Sequence, residues 1–216
     1  MSAAQENYHP VRTDVDEKGI FRWLCTYAMR ANANAQYLLA HCFRLGIGTD
    51  KDQKIAFLWY RLSAENGNVD AQWMLGQYYE YYESNTKSPK NKEKAMEWYF
   101  KSANSGNANA QYRMGLHFHF IKDLKKAFKW YLLAAKQGIH GAQCSLGNCY
   151  QNGIGVDRNE QTAFKWYLTS AEGGYAEAYL HVAECYYYGK GVNQDINKAM
   201  MWHSKSTRGG NVWVEL

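Results

Sequence analysis

Proline is nearly absent: Pro10 and Pro89 are the only two in 216 residues. Proline removes a helical hydrogen bond and clashes with the preceding turn, so its scarcity leaves long helices open to the chain. No run of about 18 apolar residues occurs, which excludes a membrane-spanning helix. The first twenty residues carry Glu6, Asp14, Asp16 and Glu17 where a secretory signal needs an apolar stretch. A cytoplasmic protein without membrane contact, monomeric by default, is the expectation. Cysteine is also sparse and irregular. The five residues Cys25, Cys42, Cys144, Cys149 and Cys185 are odd in number and unevenly spaced, which argues for reduced, buried thiols over a disulfide framework. Cys144 and Cys149, five positions apart on one expected helix, diverge by about 140° and do not form a metal pair.

What the chain has in abundance is aromatic residues, 16% of the total, with eighteen Tyr and eight Trp. Six of the tryptophans fall at positions 23, 59, 98, 130, 166 and 202, at intervals of 36, 39, 32, 36 and 36. Each sits in a version of the segment Ala163-Phe-Lys-Trp-Tyr-Leu168. A period of this length denotes stacked supersecondary units of a solenoid and not one large core. Around each Trp, positions −3, −2, 0, +1, +4 and +5 share a helical sector of about 160°, the expected buried face. The helix stops at a glycine eight residues after Trp (Gly67, Gly106, Gly138, Gly174, Gly210), suited to a left-handed helix end. An Ala then opens another helix (Ala71, Ala110, Ala142, Ala178), with a narrow apolar stripe flanked by Gly76, Gly115 and Gly147, where a neighbouring backbone is expected to approach closely.

The expected organisation is a flexible leader over residues 1–17, an array over 18–210, and a cap or tail over 211–216. The array comprises about five helix pairs after an amino-terminal half-repeat around Trp23, with Val212, Trp213 and Leu216 placed to cover the last apolar face. Two units depart from the period: one has a long turn over 82–91, and the next, around His117 to Asp123, is four residues short.

The segment from Ala142 to Tyr175, AQCSLGNCYQNGIGVDRNEQTAFKWYLTSAEGGY, resembles the Sel1-like repeat, a tetratricopeptide-like helix pair. The resemblance recurs in phase from about Ile20 to Gly210. It implies an all-α, right-handed solenoid of antiparallel helix pairs that acts as an adaptor or scaffold in signalling and complex assembly. One branch of that family is secreted, bridged by cysteines and associated with β-lactam binding or hydrolysis; the irregular cysteines here depart from it.

The chemistry-bearing residues give no assembled catalytic motif. The pairs Gly46-Ile-Gly48, Gly153-Ile-Gly155 and Gly189-Lys-Gly191 lie between helices and lack the Lys-Ser/Thr of a phosphate loop, so they read as turns. His117 and His119, two apart on a helix, make a poor metal pair. No enzyme activity, cofactor or metal is expected. Recognition is expected in a concave groove lined by the first helix of each pair, at offsets +15, +18, +21 and +22 from the preceding Trp. Those positions give His41 and Arg44, then Gln77, Glu80 and Tyr81, then Arg113 and His119, then Asn148, Gln151 and Asn152, and finally His181, Glu184, Tyr187 and Tyr188. Amides, charges and Tyr together suit a peptide or protein segment. The alternative is a nucleic-acid or acidic partner on the stretch 87–136, where eleven Lys and Arg face three acids. A β-lactamase-like hydrolase ranks third.

Overall fold

The computed structural model describes residues 16–81 and 89–209, all helix and turn. Eleven helices follow in order among them: α1 (Glu17–Ala28), α2 (Ala33–Leu45), α3 (Gln53–Glu65), α4 (Val69–Tyr81), α5 (Pro89–Asn104), α6 (Ala108–Phe120), α7 (Leu124–Lys136), α8 (His140–Asn152), α9 (Glu160–Glu172), α10 (Ala176–Tyr188) and α11 (Ile196–Gly209). They form two compact units, Met1–Ala71 and Gln72–Leu216. In the first, α2 packs on α1 and on α3; in the second, each helix from α5 to α11 packs on its neighbours in sequence. Short turns between packed neighbours make them antiparallel.

Local chemistry sets the helix limits. Asn32, Asp52, Asn107, Asp123 and Asn159 cap α2, α3, α6, α7 and α9 by accepting hydrogen bonds from first-turn amides. The glycines after the second helices are left-handed, with φ of 89° at Gly67, 101° at Gly106, 87° at Gly138 and 88° at Gly174. The short unit reaches the same turn without glycine: Lys122 takes φ 65°. The first helix α1 starts at Glu17, inside the expected leader, with Asp16 as its cap. The rest of the leader, most of the long turn at 82–91, Gly210 and the expected cover by Val212, Trp213 and Leu216 lie outside the described residues.

The core corrects the sequence reading at its central motif. The fully buried aromatic is the Tyr after the Trp: Tyr60, Tyr99, Tyr131 and Tyr167 are 5%, 1%, 2% and 0% exposed. Trp59, Trp98, Trp130 and Trp166 are only half-buried, and Trp23 is exposed beside the buried Leu24. In α11 the order inverts, with Trp202 buried and His203 exposed. Adjacent residues on a helix differ by about 100°, so one broad apolar sector holds both and only packing decides which points to its centre.

The glycines beside the stripe admit a ring and not a backbone. A Cβ at Gly76, Gly115 or Gly147 would run into the ring of Tyr99, Tyr131 or Tyr167 respectively. Each of these tyrosines therefore lies flat on the preceding helix. Buried polar groups tie the pairs together. Gln36, Gln111 and Gln143 donate through Nε2 to the carbonyls of Ala28, Ala103 and Ala135 at 3.1, 3.2 and 3.3 Å. Ser63 and Ser170 donate to the Ala33 and His140 carbonyls at 2.6 and 2.7 Å. Each of these bonds gives a buried side chain its partner; the Ala28, Ala103 and Ala135 carbonyls also accept from the Ala31, Gly106 and Gly138 amides.

Candidate functional site

Each core tyrosine sends its hydroxyl to the first-helix positions expected to line a groove. In the first unit, Arg44 Nε donates to the Tyr60 hydroxyl at 3.1 Å and Arg44 also lies 3.0 Å from His41 Nδ1. In the second unit, Tyr99 donates to Glu80 Oε2 at 2.7 Å, and Arg113 pairs with the other Glu80 oxygen while lying 5.5 Å over the Tyr99 ring. Tyr131 reaches His119 Nδ1 at 3.5 Å. Tyr167 donates to Asn148 Oδ1 at 2.8 Å, and His181 stacks on its ring at 4.7 Å. His181 Nδ1 in turn faces Glu184 Oε2 at 3.8 Å.

Burial pushes the Tyr60 hydroxyl up to about 12, against the opposing pull of Arg44. Burial likewise raises Tyr99, Tyr131 and Tyr167 well above the ordinary tyrosine value, with Glu80 adding to the effect at Tyr99. These hydroxyls are neutral at physiological pH, donating at Tyr99 and Tyr167 and accepting at Tyr60, and their role is to hold the polar side chains around them. Burial also pushes the thiols of Cys149 and Cys185 up to about 11, which suits core packing and not nucleophilic attack.

The expected groove residues thus divide in two. His41, Arg44, Glu80, Arg113, His119, Asn148, His181 and Glu184 are joined to the tyrosine frame or to each other, while Gln77 and Gln151 stand half-buried beside it. Tyr81, Tyr187 and Tyr188 are exposed at 61%, 51% and 64%, and Asn152 is exposed too, its amide donating to the Asn148 carbonyl at 3.1 Å. Phe120, at the same +22 offset as Tyr81, Asn152 and Tyr188, is 84% exposed and is not among the residues expected from the sequence. Its offset alone places it in that column.

A second grouping crosses helices and was not expected. Cys144 on α8 and Glu177 and His181 on α10 bring one ligand atom each within 4.8 Å of one another. Cys144 is buried, His181 half-buried and Glu177 exposed. The Tyr175 hydroxyl donates to Glu177 Oε2 at 3.0 Å. Burial, with the Glu177 charge adding, pushes the Cys144 thiol up to about 12.

Helix pairs capped in this way, stacked through one core aromatic per pair, define a tetratricopeptide-like repeat protein. The chain belongs to the Sel1 repeat family, whose model matches residues 33–68, 69–107, 108–139, 140–175 and 176–211. It is similar to a Sel1 repeat protein from Oxalobacter formigenes, with 34% identity and a TM-score of 0.75 over 88% of this chain and 79% of that one. A protective antigen of uropathogenic Escherichia coli displaying an SLR fold is 29% identical, with a TM-score of 0.65 over 89% of this chain; the match spans 49% of that chain. An immunity protein from Pseudomonas aeruginosa, 18% identical with a TM-score of 0.55 over 92% of this chain and 76% of that one, shares the fold alone. No curated protein matches the sequence. Sel1 repeat proteins are generally protein-interaction scaffolds and not catalysts. Among the described residues no helix is long and apolar enough to cross a membrane.

Proposed function

We propose that the chain is a non-enzymatic scaffold or adaptor that binds a protein segment on the exposed ends of its first helices. One observation carries this reading: in the second unit, the residue ending α4, α6 and α10 is an exposed aromatic at the same repeat offset, Tyr81, Phe120 and Tyr188. Exposed aromatics on a rigid frame are the residue type that anchors protein partners, because they bury large areas at low entropic cost. The charged and amide side chains joined to the tyrosine frame beside them supply a polar rim. A cytoplasmic setting belongs to the same reading, supported by the use of Cys42, Cys149 and Cys185 as buried core side chains.

Nucleic-acid binding through the basic stretch is the weaker reading. Lys94, Lys101 and Lys126 lie over the rings of Tyr79, Trp98 and Phe118 at 5.1, 4.1 and 5.3 Å, and Arg113 is paired with Glu80. A photo-crosslinking residue at position 152, exposed at the same repeat offset, tests the proposal. Expected is a discrete crosslinked protein partner, lost in the Phe120→Ala/Tyr188→Ala double variant with the melting temperature unchanged. Capture undiminished by that double variant overturns the assignment of the surface.

A further inference from the structure

We propose that Cys144, Glu177 and His181 form a Zn²⁺ site with three protein ligands and one coordination position left for water. The argument begins with a break in the repeat. Two residues after the Ala that opens the stripe, α4 and α6 carry Trp73 and Tyr112, whose rings lie 4.9 and 5.9 Å from Tyr99 and Tyr131. At the same position α8 carries Cys144. The next first helix changes with it. Tyr112 faces Gly141, where a Cβ would lie 3.0 Å from the tyrosine oxygen, so the large ring is matched by the smallest residue. One repeat on, the position of Gly141 is Glu177 and that of Ser145 is His181. A small thiol in place of a ring opens room, and a carboxylate and an imidazole fill it.

Glu177 and His181 are four apart on α10, which puts them on one helix face, and Cys144 meets them from α8. The donors lie within 4.8 Å of one another. A tetrahedral zinc with bonds of about 2.0–2.3 Å holds its ligands about 3.5 Å apart, so binding requires each to move by about 1 Å. Thiolate, imidazole and carboxylate together select a borderline-soft ion such as Zn²⁺ over Mg²⁺ or Ca²⁺. The outer contacts that orient ligands at zinc sites are in place as well. Tyr175 holds one oxygen of Glu177, Glu184 faces His181 Nδ1, and the Tyr167 ring fixes the imidazole plane. The Nδ1 contact leaves Nε2 as the nitrogen for the ion. Binding breaks the Cys144 S–H bond, forms the S–Zn bond and releases the proton to solvent, so affinity rises with pH.

The test uses the tag-free full chain, stripped with a chelator and titrated with Zn²⁺ against a chromophoric competitor, and with Co²⁺ followed by absorption. Expected are one equivalent of zinc and a near-ultraviolet thiolate-to-cobalt band. Glu177→Gln and His181→Gln, at positions not fully buried, weaken zinc binding by more than about tenfold with helical content unchanged. Cys144→Ser abolishes the cobalt band, and Cys149→Ser keeps it. Absence of a bound equivalent, or a cobalt band that survives Cys144→Ser, overturns the proposal.

Discussion

Tyr131 and Tyr167 occupy the same position in consecutive helix pairs, each flat against a glycine of the preceding helix, Gly115 and Gly147. Their surroundings differ. Tyr131 is walled by Tyr112 and reaches His119 only at 3.5 Å, whereas Tyr167 is stacked by His181, bonded to Asn148 at 2.8 Å and placed near Cys144. The comparison separates a frame, common to the pairs, from the side chains the frame holds in place. In a repeat protein each unit contacts only its neighbours, so one unit can change its lining without disturbing the others.

The largest effect that sharpens this comparison is on the frame itself. Tyr167→Ala should destabilise the chain by about 3–5 kcal/mol, the range for removing a buried aromatic. Trp166→Ala, at a half-buried position, should cost about 1–2 kcal/mol. Denaturant titration of the pair decides it; a larger loss at Trp166 breaks the assignment of the frame. Next, Gly147→Ala forces its methyl into the Tyr167 ring and should cost about 1–3 kcal/mol by overpacking, with Gly115→Ala matching it at Tyr131. Unequal losses at the two glycines would show that the frames are not equivalent.

The hydroxyls then divide the two regions. Tyr167→Phe leaves Asn148 without its donor and should lower stability by about 1 kcal/mol, while Tyr131→Phe, losing a contact at the limit of hydrogen bonding, should change it by less than about half of that. The smallest effect is one of pH and carries the comparison to Tyr60. His41 beside it is held below the usual histidine range by burial first and by Arg44 second, with Asp70 opposing. A depressed histidine favours the neutral ring in the fold, so its contribution is intact above the ordinary value near 6.5 and is lost as pH falls below it. Thermal melts of wild type and His41→Gln between pH 7.5 and pH 5 should show a steeper acid loss in the wild type.

Much of the frame was legible because it is periodic. Gly67, Gly106, Gly138 and Gly174 are left-handed where the spacing puts them. The choice of Tyr over Trp as core residue was not legible, since both fall in one apolar sector and the deciding contact is with a glycine about twenty residues earlier. The exposed column that includes Phe120 is half legible: its offset is in the sequence, but an apolar ring at that offset does not by itself distinguish an exposed anchor from a core residue. The grouping of Cys144 with Glu177 and His181 escaped because it spans two helices. Its trace in the sequence is a paired exception, a missing ring in one repeat and a carboxylate in place of glycine in the next.

The claim that frame and lining are separable is tested most directly by Cys144→Tyr combined with Glu177→Gly and His181→Ser, which gives the fourth pair both the ring that Tyr112 supplies to the third and the small residues that face it. Zinc retained per chain after gel filtration, measured beside the circular dichroism of the same sample, is the readout. The account predicts wild-type helical content with no zinc bound. Zinc bound as in the wild type, or loss of the helical fold, would contradict it.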